Sequence, residues 1–132
     1  MVYKFLISRG IVENNGKFLV LKKVNDLMHE NVGRWECPGG KIFDGEAPRD
    51  TVLRELKEET NITGEIVKEF PKIYIKTENV ESTCFVFLIK TNNKKVKLSS
   101  EHSEFKWIKS KEFKDLELVK FADLLIKYFE EV

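Results

Sequence analysis

The sequence has little of the residues that mark several specialised classes of protein. Its 132 residues include two cysteines, three prolines and seven glycines. Two cysteines without a C-x-x-C pair are too few to form a zinc site by themselves. Cys37 and Cys84 both lie close to aromatic residues, and a free cysteine behaves as a small apolar side chain. We therefore expect two buried, unpaired thiols in a reducing compartment.

Neither sign of charge is in excess, and long apolar runs are absent. Lys and Arg number 23 and Asp and Glu number 22, which gives a net charge of +1. Such a balance produces no strong field toward nucleic acid or membranes, so we expect neither as a partner. No apolar stretch approaches the roughly 20 residues that span a bilayer. The length predicts a single domain over residues 1–132, cytoplasmic, as a monomer or homodimer.

The first third of the chain predicts a β-hairpin followed by a loop. Residues 3–13 are strand-like, the "NNG" at 14–16 is a turn signal, and 17–23 form a returning strand. Residues 24–34 are polar and predict a loop. The "PGG" at 38–40 is expected to interrupt any regular element.

Helical periodicity begins at Pro48, a residue that suits the first turn of a helix. Val52, Leu53 and Leu56 form an apolar stripe, and the helix is expected to end near Asn61. The pattern beyond it predicts strand pieces at 62–70 and 72–76 separated by Pro71, a central strand at 83–90, a short strand at 105–108, and an amphipathic helix at 118–131. The whole indicates a mixed β-sheet flanked by two helices, an α/β sandwich.

Three glutamates near the end of the first predicted helix stand where electrostatics opposes them. Glu55, Glu58 and Glu59 repel one another at helical spacing, and they face the negative end of the helix dipole. A solvated acidic face is the simplest interpretation. However, Glu59 lies at the edge of the apolar stripe, where an uncompensated charge is costly. A hard divalent cation would reverse these penalties, since Mg²⁺ takes carboxylate oxygens and shares its shell with phosphates.

The same stretch, "GGKIFDGEAPRDTVLRELKEETNI", resembles the signature of the Nudix hydrolase family. Gly40, Glu46, Arg54 and the three glutamates stand at the family's spacing, as do Leu56 and Ile62. The upstream "RWECPGG" is also similar to the family's usual approach to this motif. Asn61 replaces the usual Gly, and Asn is the next most favourable residue for a left-handed helix end. We expect an intact site at a modest cost in stability.

This resemblance implies an α/β/α sandwich with a loop–helix–loop catalytic motif and a C-terminal helix. It also implies hydrolysis of a nucleoside diphosphate linked to another group, with Mg²⁺ or Mn²⁺. By position, the metal ligands would be Glu55, Glu58, Glu59 and the Gly40 carbonyl. Arg54 would hold Glu55 by a charge-assisted hydrogen bond, and Glu46 would support the loop or an outer-shell water.

The identity of the general base remains open between Glu55 and the loop at 99–107. That loop offers Glu101, His102 and Glu104. Of these, Glu104 best resembles the family's late-loop glutamate, because it stands three residues before Trp107.

The substrate is less defined, because the family's specificity signals lie outside the motif. The small size favours a nucleoside triphosphate pyrophosphohydrolase. An ADP-ribose or dinucleoside polyphosphate pyrophosphatase and a non-catalytic nucleotide-binding regulator are the alternatives. Lys22 and Arg34 are candidates for neutralising outer phosphates. Phe43 is a candidate for stacking on a base, and Trp35 fits better as support for the loop.

Overall fold

The computed structural model describes residues 1–24 and 29–132, and for His29 only the backbone. Seven strands form one sheet: β1 (Tyr3–Asn14), β2 (Lys17–Lys23), β3 (Trp35–Glu36), β4 (Gly39–Lys41), β5 (Glu65–Lys76), β6 (Val80–Lys90) and β7 (His102–Ile108). Two α-helices accompany them, α1 (Pro48–Thr60) and α2 (Ile126–Phe129). Short 3₁₀ helices cover His29–Asn31, Ser110–Asp115 and Ala122–Leu125. No helix in the described part of the chain is long and apolar enough to cross a membrane.

The sheet is mixed, as predicted, and its central strands are β1 and β6. The order is β3-β2-β1-β6-β5, with β4 pairing to β1 and β7 to β2. The strands β1 and β6 run parallel along their whole lengths, and the other pairs are antiparallel. The predicted hairpin turns at Asn15 and Gly16, both with positive φ. A bulge at Pro71 joins the two predicted strand pieces into the single strand β5.

Strand β4 corrects the prediction that "PGG" would interrupt regular structure. The hairpin strands β1 and β2 pair only near their turn and then separate. Residues Gly39–Lys41 enter the gap and pair with Ile7–Arg9 of β1. The reason is steric, because a Cβ at Gly39 would lie 2.0 Å from the Ser8 carbonyl oxygen. Glycine therefore permits the close pairing here instead of ending it.

Apolar side chains pack on both faces of the sheet. One face packs against α1 through a cluster that includes Val52, Leu56 and Phe87. The other face packs against the C-terminal segment, where Tyr128 and Phe129 are buried. Both cysteines are buried and free, as predicted.

The C-terminal segment is not the continuous helix predicted for residues 118–131. Val119 donates a backbone hydrogen bond to Trp35, so this part of the chain is extended beside β3. Phe121 then adopts a left-handed conformation with φ 73°, which no α-helix interior accommodates. Only the 3₁₀ turn and α2 follow. The apolar spacing correctly identified the buried side chains, but it did not identify the backbone that carries them.

Candidate active site

Helix α1 positions the acidic motif between the sheet and solvent. Pro48 occupies its first turn, and its carbonyl oxygen accepts a hydrogen bond from the Ser8 hydroxyl at 2.8 Å. The helix ends at Asn61, which adopts φ 61° and ψ 21°, and the Asn61 amide donates to the carbonyl of Lys57. The expected left-handed helix end is therefore confirmed, with asparagine in place of glycine.

Arg54 connects the loop before α1 to the glutamates within it. Its Nε donates to Glu46 Oε2 at 2.7 Å, and Nη1 donates to Glu55 Oε1 at 3.0 Å. Glu46 also accepts from the Phe43 amide and the Thr51 hydroxyl, so its carboxylate supports the loop. The hydrogen bond from Arg54 is the main cause that lowers the pKa of Glu46 to about 2. Arg54 therefore holds the Glu55 carboxylate in one orientation, because Glu46 holds the Arg54 guanidinium.

Gly39 and Gly40 bring backbone atoms close to the carboxylates of α1. The Gly39 amide donates to Glu59 Oε1 at 3.0 Å. A Cβ at Gly40 would lie 2.7 Å from the Glu55 carboxylate, so that carboxylate rests directly against the glycine backbone. The backbone of Gly40 therefore lies beside the acidic helix, and the role of its carbonyl as a metal ligand remains a prediction.

Three carboxylates converge at this point. Oxygens of Glu55, Glu59 and Glu101 all lie within 4.8 Å of one another. Glu59 is only 3% exposed, and burial raises its pKa well above the ordinary value. Burial also raises the pKa of Glu55. Crowded oxygen donors beside an approachable backbone fit a hard divalent cation, whose charge would remove both penalties.

Glu58 is placed differently from the other two glutamates of the motif. Its side chain is 57% exposed, and it pairs with Arg54 Nη1 at 3.2 Å. Among the described residues, it joins neither of the two groups of close metal-type ligands. Its role as a metal ligand remains a prediction.

The late loop, which joins β6 to β7, contributes Glu101 to the cluster. The sequence had instead pointed to Glu104. Glu104 lies on β7 and pairs with Lys22 Nζ at 2.9 Å, which lowers the pKa of its carboxyl group. Lys22 and Glu104 face each other in the β2–β7 register. Similarity of spacing to Trp107 could not reveal this pairing, because it depends on which strand lies beside β7.

The residues predicted to contact the phosphates and the base do not form one group. Lys22 donates a hydrogen bond to Glu104, and Arg34 Nη1 donates to the Leu118 carbonyl at 3.3 Å. Phe43 is exposed, but the Arg54 guanidinium covers its ring at 3.8 Å. Trp35 is buried in β3, in agreement with its predicted supporting role.

A buried charge network beside the cluster was not predicted. Glu36 is 3% exposed and lies 3.5 Å from Arg9 Nη1 and from Lys23 Nζ. His102 Nε2 is 2.8 Å from the second Glu36 oxygen. Burial alone would raise the pKa of Glu36, but Arg9, the His102 hydrogen bond and Lys23 outweigh it and lower the pKa to about 2. A charged residue inside "RWECPGG" was the available signal.

Glu36 also forms part of the wall of an apolar cavity of about 200 Å³. Its lining includes Phe5, Ile7, Cys37, Ser82, Cys84 and Leu125. The Ser82 hydroxyl is buried and has no hydrogen-bond partner in the described part of the chain. Buried hydroxyls are usually satisfied, so this one is available to a polar atom of a ligand.

Comparison with known proteins gives consistent matches. A family model described as the NUDIX domain matches residues 5–129. An 8-oxo-dGTP diphosphatase of Escherichia coli (strain K12) is 33% identical over 87 residues, which cover 65% of this chain and 66% of that protein. An ADP-ribose pyrophosphatase of Bacillus subtilis (strain 168) is 31% identical over 77 residues, which cover 58% of this chain and 40% of that protein. The chain thus spans less than two thirds of the length of these curated relatives.

A solved structure covers more of the chain. The MutT protein from Methanosarcina mazei Go1 superposes with a TM-score of 0.83 at 25% identity. The match covers 98% of this chain and 95% of that one. It confirms the predicted fold class, a mixed sheet with helices packed on it.

Proposed function

Since the chain belongs to the NUDIX domain family, we propose that it hydrolyses a nucleoside diphosphate linked to a further group. Nucleoside triphosphates are the favoured substrate class. The observation that carries this proposal is the convergence of Glu55, Glu59 and Glu101 beside Gly40. These oxygens fit a divalent cation, and such a cation leaves coordination positions for phosphate oxygens.

The metal would be Mg²⁺ or Mn²⁺, held by Glu55, Glu59, Glu101 and the Gly40 carbonyl, with Glu58 as a further predicted ligand. The ion would neutralise the diphosphate and activate a water for attack on phosphorus. The chain's own residues would supply the rest. Arg54 keeps Glu55 aligned through its 3.0 Å hydrogen bond. Glu101 is better placed than Glu104 to accept the proton of the attacking water, because its carboxylate lies in the cluster.

We further propose that the apolar cavity takes the nucleobase. Glu36 lines the cavity and also lies within 4.8 Å of Glu59, so a ligand filling the cavity would reach the acidic cluster with its phosphates. A volume of about 200 Å³ is below the roughly 300 Å³ at which pockets begin to enclose whole drug-sized ligands. That size suits one base with its sugar and phosphates outside. The Ser82 hydroxyl would then bond a polar atom on the edge of the base.

The relatives agree with this class without fixing the substrate. The E. coli relative is named for 8-oxo-dGTP and the B. subtilis relative for ADP-ribose. The small size of this cavity favours a mononucleotide over a dinucleotide. A non-catalytic regulator is disfavoured, because the network of Arg54, Glu46 and Glu55 is complete.

A nucleotide panel with Mg²⁺ and analysis of products tests the proposal. Pyrophosphate plus a nucleoside monophosphate is the expected result. AMP plus a sugar phosphate would instead support an ADP-ribose pyrophosphatase. Tight binding of one nucleotide without any hydrolysis would replace the proposal with the regulator.

A substitution in the cavity tests where the base binds. Ser82→Val fills part of the cavity and removes the hydroxyl, so KM for the preferred nucleotide should rise about tenfold or more, a loss of about 1.4 kcal/mol. Ser103→Val, at an exposed position on β7, is the matched control. An unchanged KM in Ser82→Val would place the base elsewhere.

A further inference from the structure

The connection between β6 and β7 carries Glu101 to the acidic cluster, and it contains no strand of its own. Backbone hydrogen bonds fasten it to the end of α1: the Lys97 amide donates to Thr60 at 2.9 Å, and the Ser99 amide donates to Glu59 at 3.2 Å. The Glu101 carbonyl accepts from the Val24 amide at 3.1 Å. These bonds place the chain, but none of them involves the side chain of the residue next to Glu101.

His102 supplies that side-chain attachment. It directly follows Glu101 and is 5% exposed, and its Nε2 lies 2.8 Å from Glu36 Oε2. Because the Glu36 carboxylate is ionised, Nε2 carries the proton and donates it. A β-bulge falls between Lys22 and Lys23, opposite Glu104 and His102. The attachment therefore lies where the regular β2–β7 register ends and the loop begins.

Glu36 joins both walls of the cluster. On one side it faces Arg9, whose Nη1 also donates to the carbonyls of Cys37 and Gly39 at 3.1 Å each. Gly39 in turn donates its amide to Glu59. On the other side Glu36 holds His102 and with it the end of the late loop. The buried Glu36 carboxylate thus connects the Gly39 backbone on one side of the cluster to the late loop, which carries Glu101, on the other side.

We propose that the Glu36–His102 pair is a positioning device that holds the carboxylate of Glu101 in the metal-binding cluster. This inference rests on the proposed metal site. His102 acts here through its neighbour and does not contact the metal. Glu36, Glu59 and His102 are themselves close enough to suggest an ion between them. However, Arg9 and Lys23 already neutralise Glu36, and they would repel a cation at that point.

A double-mutant cycle on Mn²⁺ affinity tests the proposal without requiring turnover. Wild type, His102→Ala, Glu101→Gln and the double variant are titrated with Mn²⁺ and followed by electron paramagnetic resonance. Loss of a residue that orients a metal ligand costs roughly 10- to 100-fold in affinity. We expect His102→Ala to weaken binding about tenfold in the wild-type background and to have no effect once Glu101 is Gln. Equal effects in both backgrounds would overturn the proposal.

Two further measurements separate positioning from general stability. In metal-free His102→Ala, backbone amides of residues 98–103 should exchange faster than in wild type. His102→Gln, whose amide can still donate to Glu36, should restore most of the affinity and slow the exchange again. If His102→Ala does not fold, His102→Asn replaces it in the cycle, because its shorter amide cannot reach as far as Nε2. Tyr128→Phe removes a hydrogen bond to Pro71 in the C-terminal segment, and it should leave Mn²⁺ affinity unchanged.

The outcomes also distinguish this inference from the proposed function. If wild type binds no Mn²⁺, or if Glu59→Gln does not weaken its binding, the metal site fails, and the positioning role fails with it. If Mn²⁺ binds and Glu101→Gln weakens it while His102→Ala does not, only the positioning role fails. Hyperfine coupling of bound Mn²⁺ to an imidazole nitrogen would make His102 a ligand and would likewise overturn the positioning role.

Discussion

The Glu59 carboxylate accepts a hydrogen bond from the Gly39 amide at 3.0 Å and is almost completely buried. One backbone donor compensates only part of the cost of burying a charge, which is why burial holds the pKa of Glu59 well above its ordinary value. Ionising Glu59 is therefore costly in the metal-free fold, and a bound cation would offset that cost.

Glu59→Gln should make the metal-free protein more stable above about pH 4.5. The folded state binds this proton more tightly than the unfolded state, so its contribution to the free energy of unfolding falls as pH rises past the unfolded pKa. A pKa that is higher by one corresponds to about 1.4 kcal/mol. Urea denaturation between pH 4 and pH 8 should show the variant gaining on wild type as pH rises. Added Mn²⁺ should stabilise only wild type. A variant less stable than wild type at pH 8 without metal would contradict this account.

Glu58→Gln should lower turnover by orders of magnitude and leave the fold intact. Glu58 is exposed, so its substitution disturbs little packing, and a loss of turnover would come from its interaction with the metal, the substrate or Arg54. The rate constant kcat and the circular dichroism spectrum check the two parts. Glu69→Gln, at an exposed position on β5, serves as the control. Near-normal activity would remove Glu58 from the ligand set.

Gly40→Ala should weaken Mn²⁺ binding about tenfold or more. The added methyl would lie 2.7 Å from the Glu55 carboxylate, so that side chain must move. Gly16→Ala is an informative control. Gly16 has φ 78° and open space around it, so alanine there costs about 1 kcal/mol of stability without touching the site. Calorimetric titration with Mn²⁺ should separate the two variants, and similar affinities would show that the closeness of Gly40 to Glu55 is unimportant.

Asn61→Ala should destabilise the protein by about 1 kcal/mol, the cost of forcing alanine into a left-handed conformation. Asn61→Gly should stay within about 0.5 kcal/mol of wild type, because glycine adopts this conformation freely and loses entropy on folding. Thermal or urea unfolding measures both. Equal stability of Asn61→Ala and wild type would mean that the helix ends in another way in solution.

The parts of the fold that follow from short-range patterns were predictable from the sequence. Helix α1 and its end at Asn61 follow from periodicity and residue type, and the hairpin follows from its turn residues. The C-terminal backbone departs from the predicted helix at Phe121 because this segment pairs with Trp35. A local sequence pattern cannot indicate a contact between residues so far apart. The sequence motif indicated that the charge of Glu59 would be costly to bury. The choice of Glu101 over Glu104 required the register of β7 against β2.

Buried polar networks were the hardest feature to predict. Glu36 and His102 are 66 residues apart, and each is unremarkable within its own segment. Their pairing becomes visible only when β2, β3 and β7 lie side by side. The sequence feature that could have indicated this pair was weak: a carboxylate placed between Trp35 and Cys37, two residues that are both buried.

The parallel pairing of β1 with β6 has a consequence for synthesis of the chain. Tyr3 lies opposite Val80, so β1 meets its longest partner only after a further 77 residues (80 − 3) have been made. At about 5–20 residues per second, β1 waits about 4–15 s with one edge unpaired. The late loop emerges after β6. A nascent chain therefore becomes competent to bind metal only once the late loop has emerged, after a delay in which β1 is exposed to wrong partners.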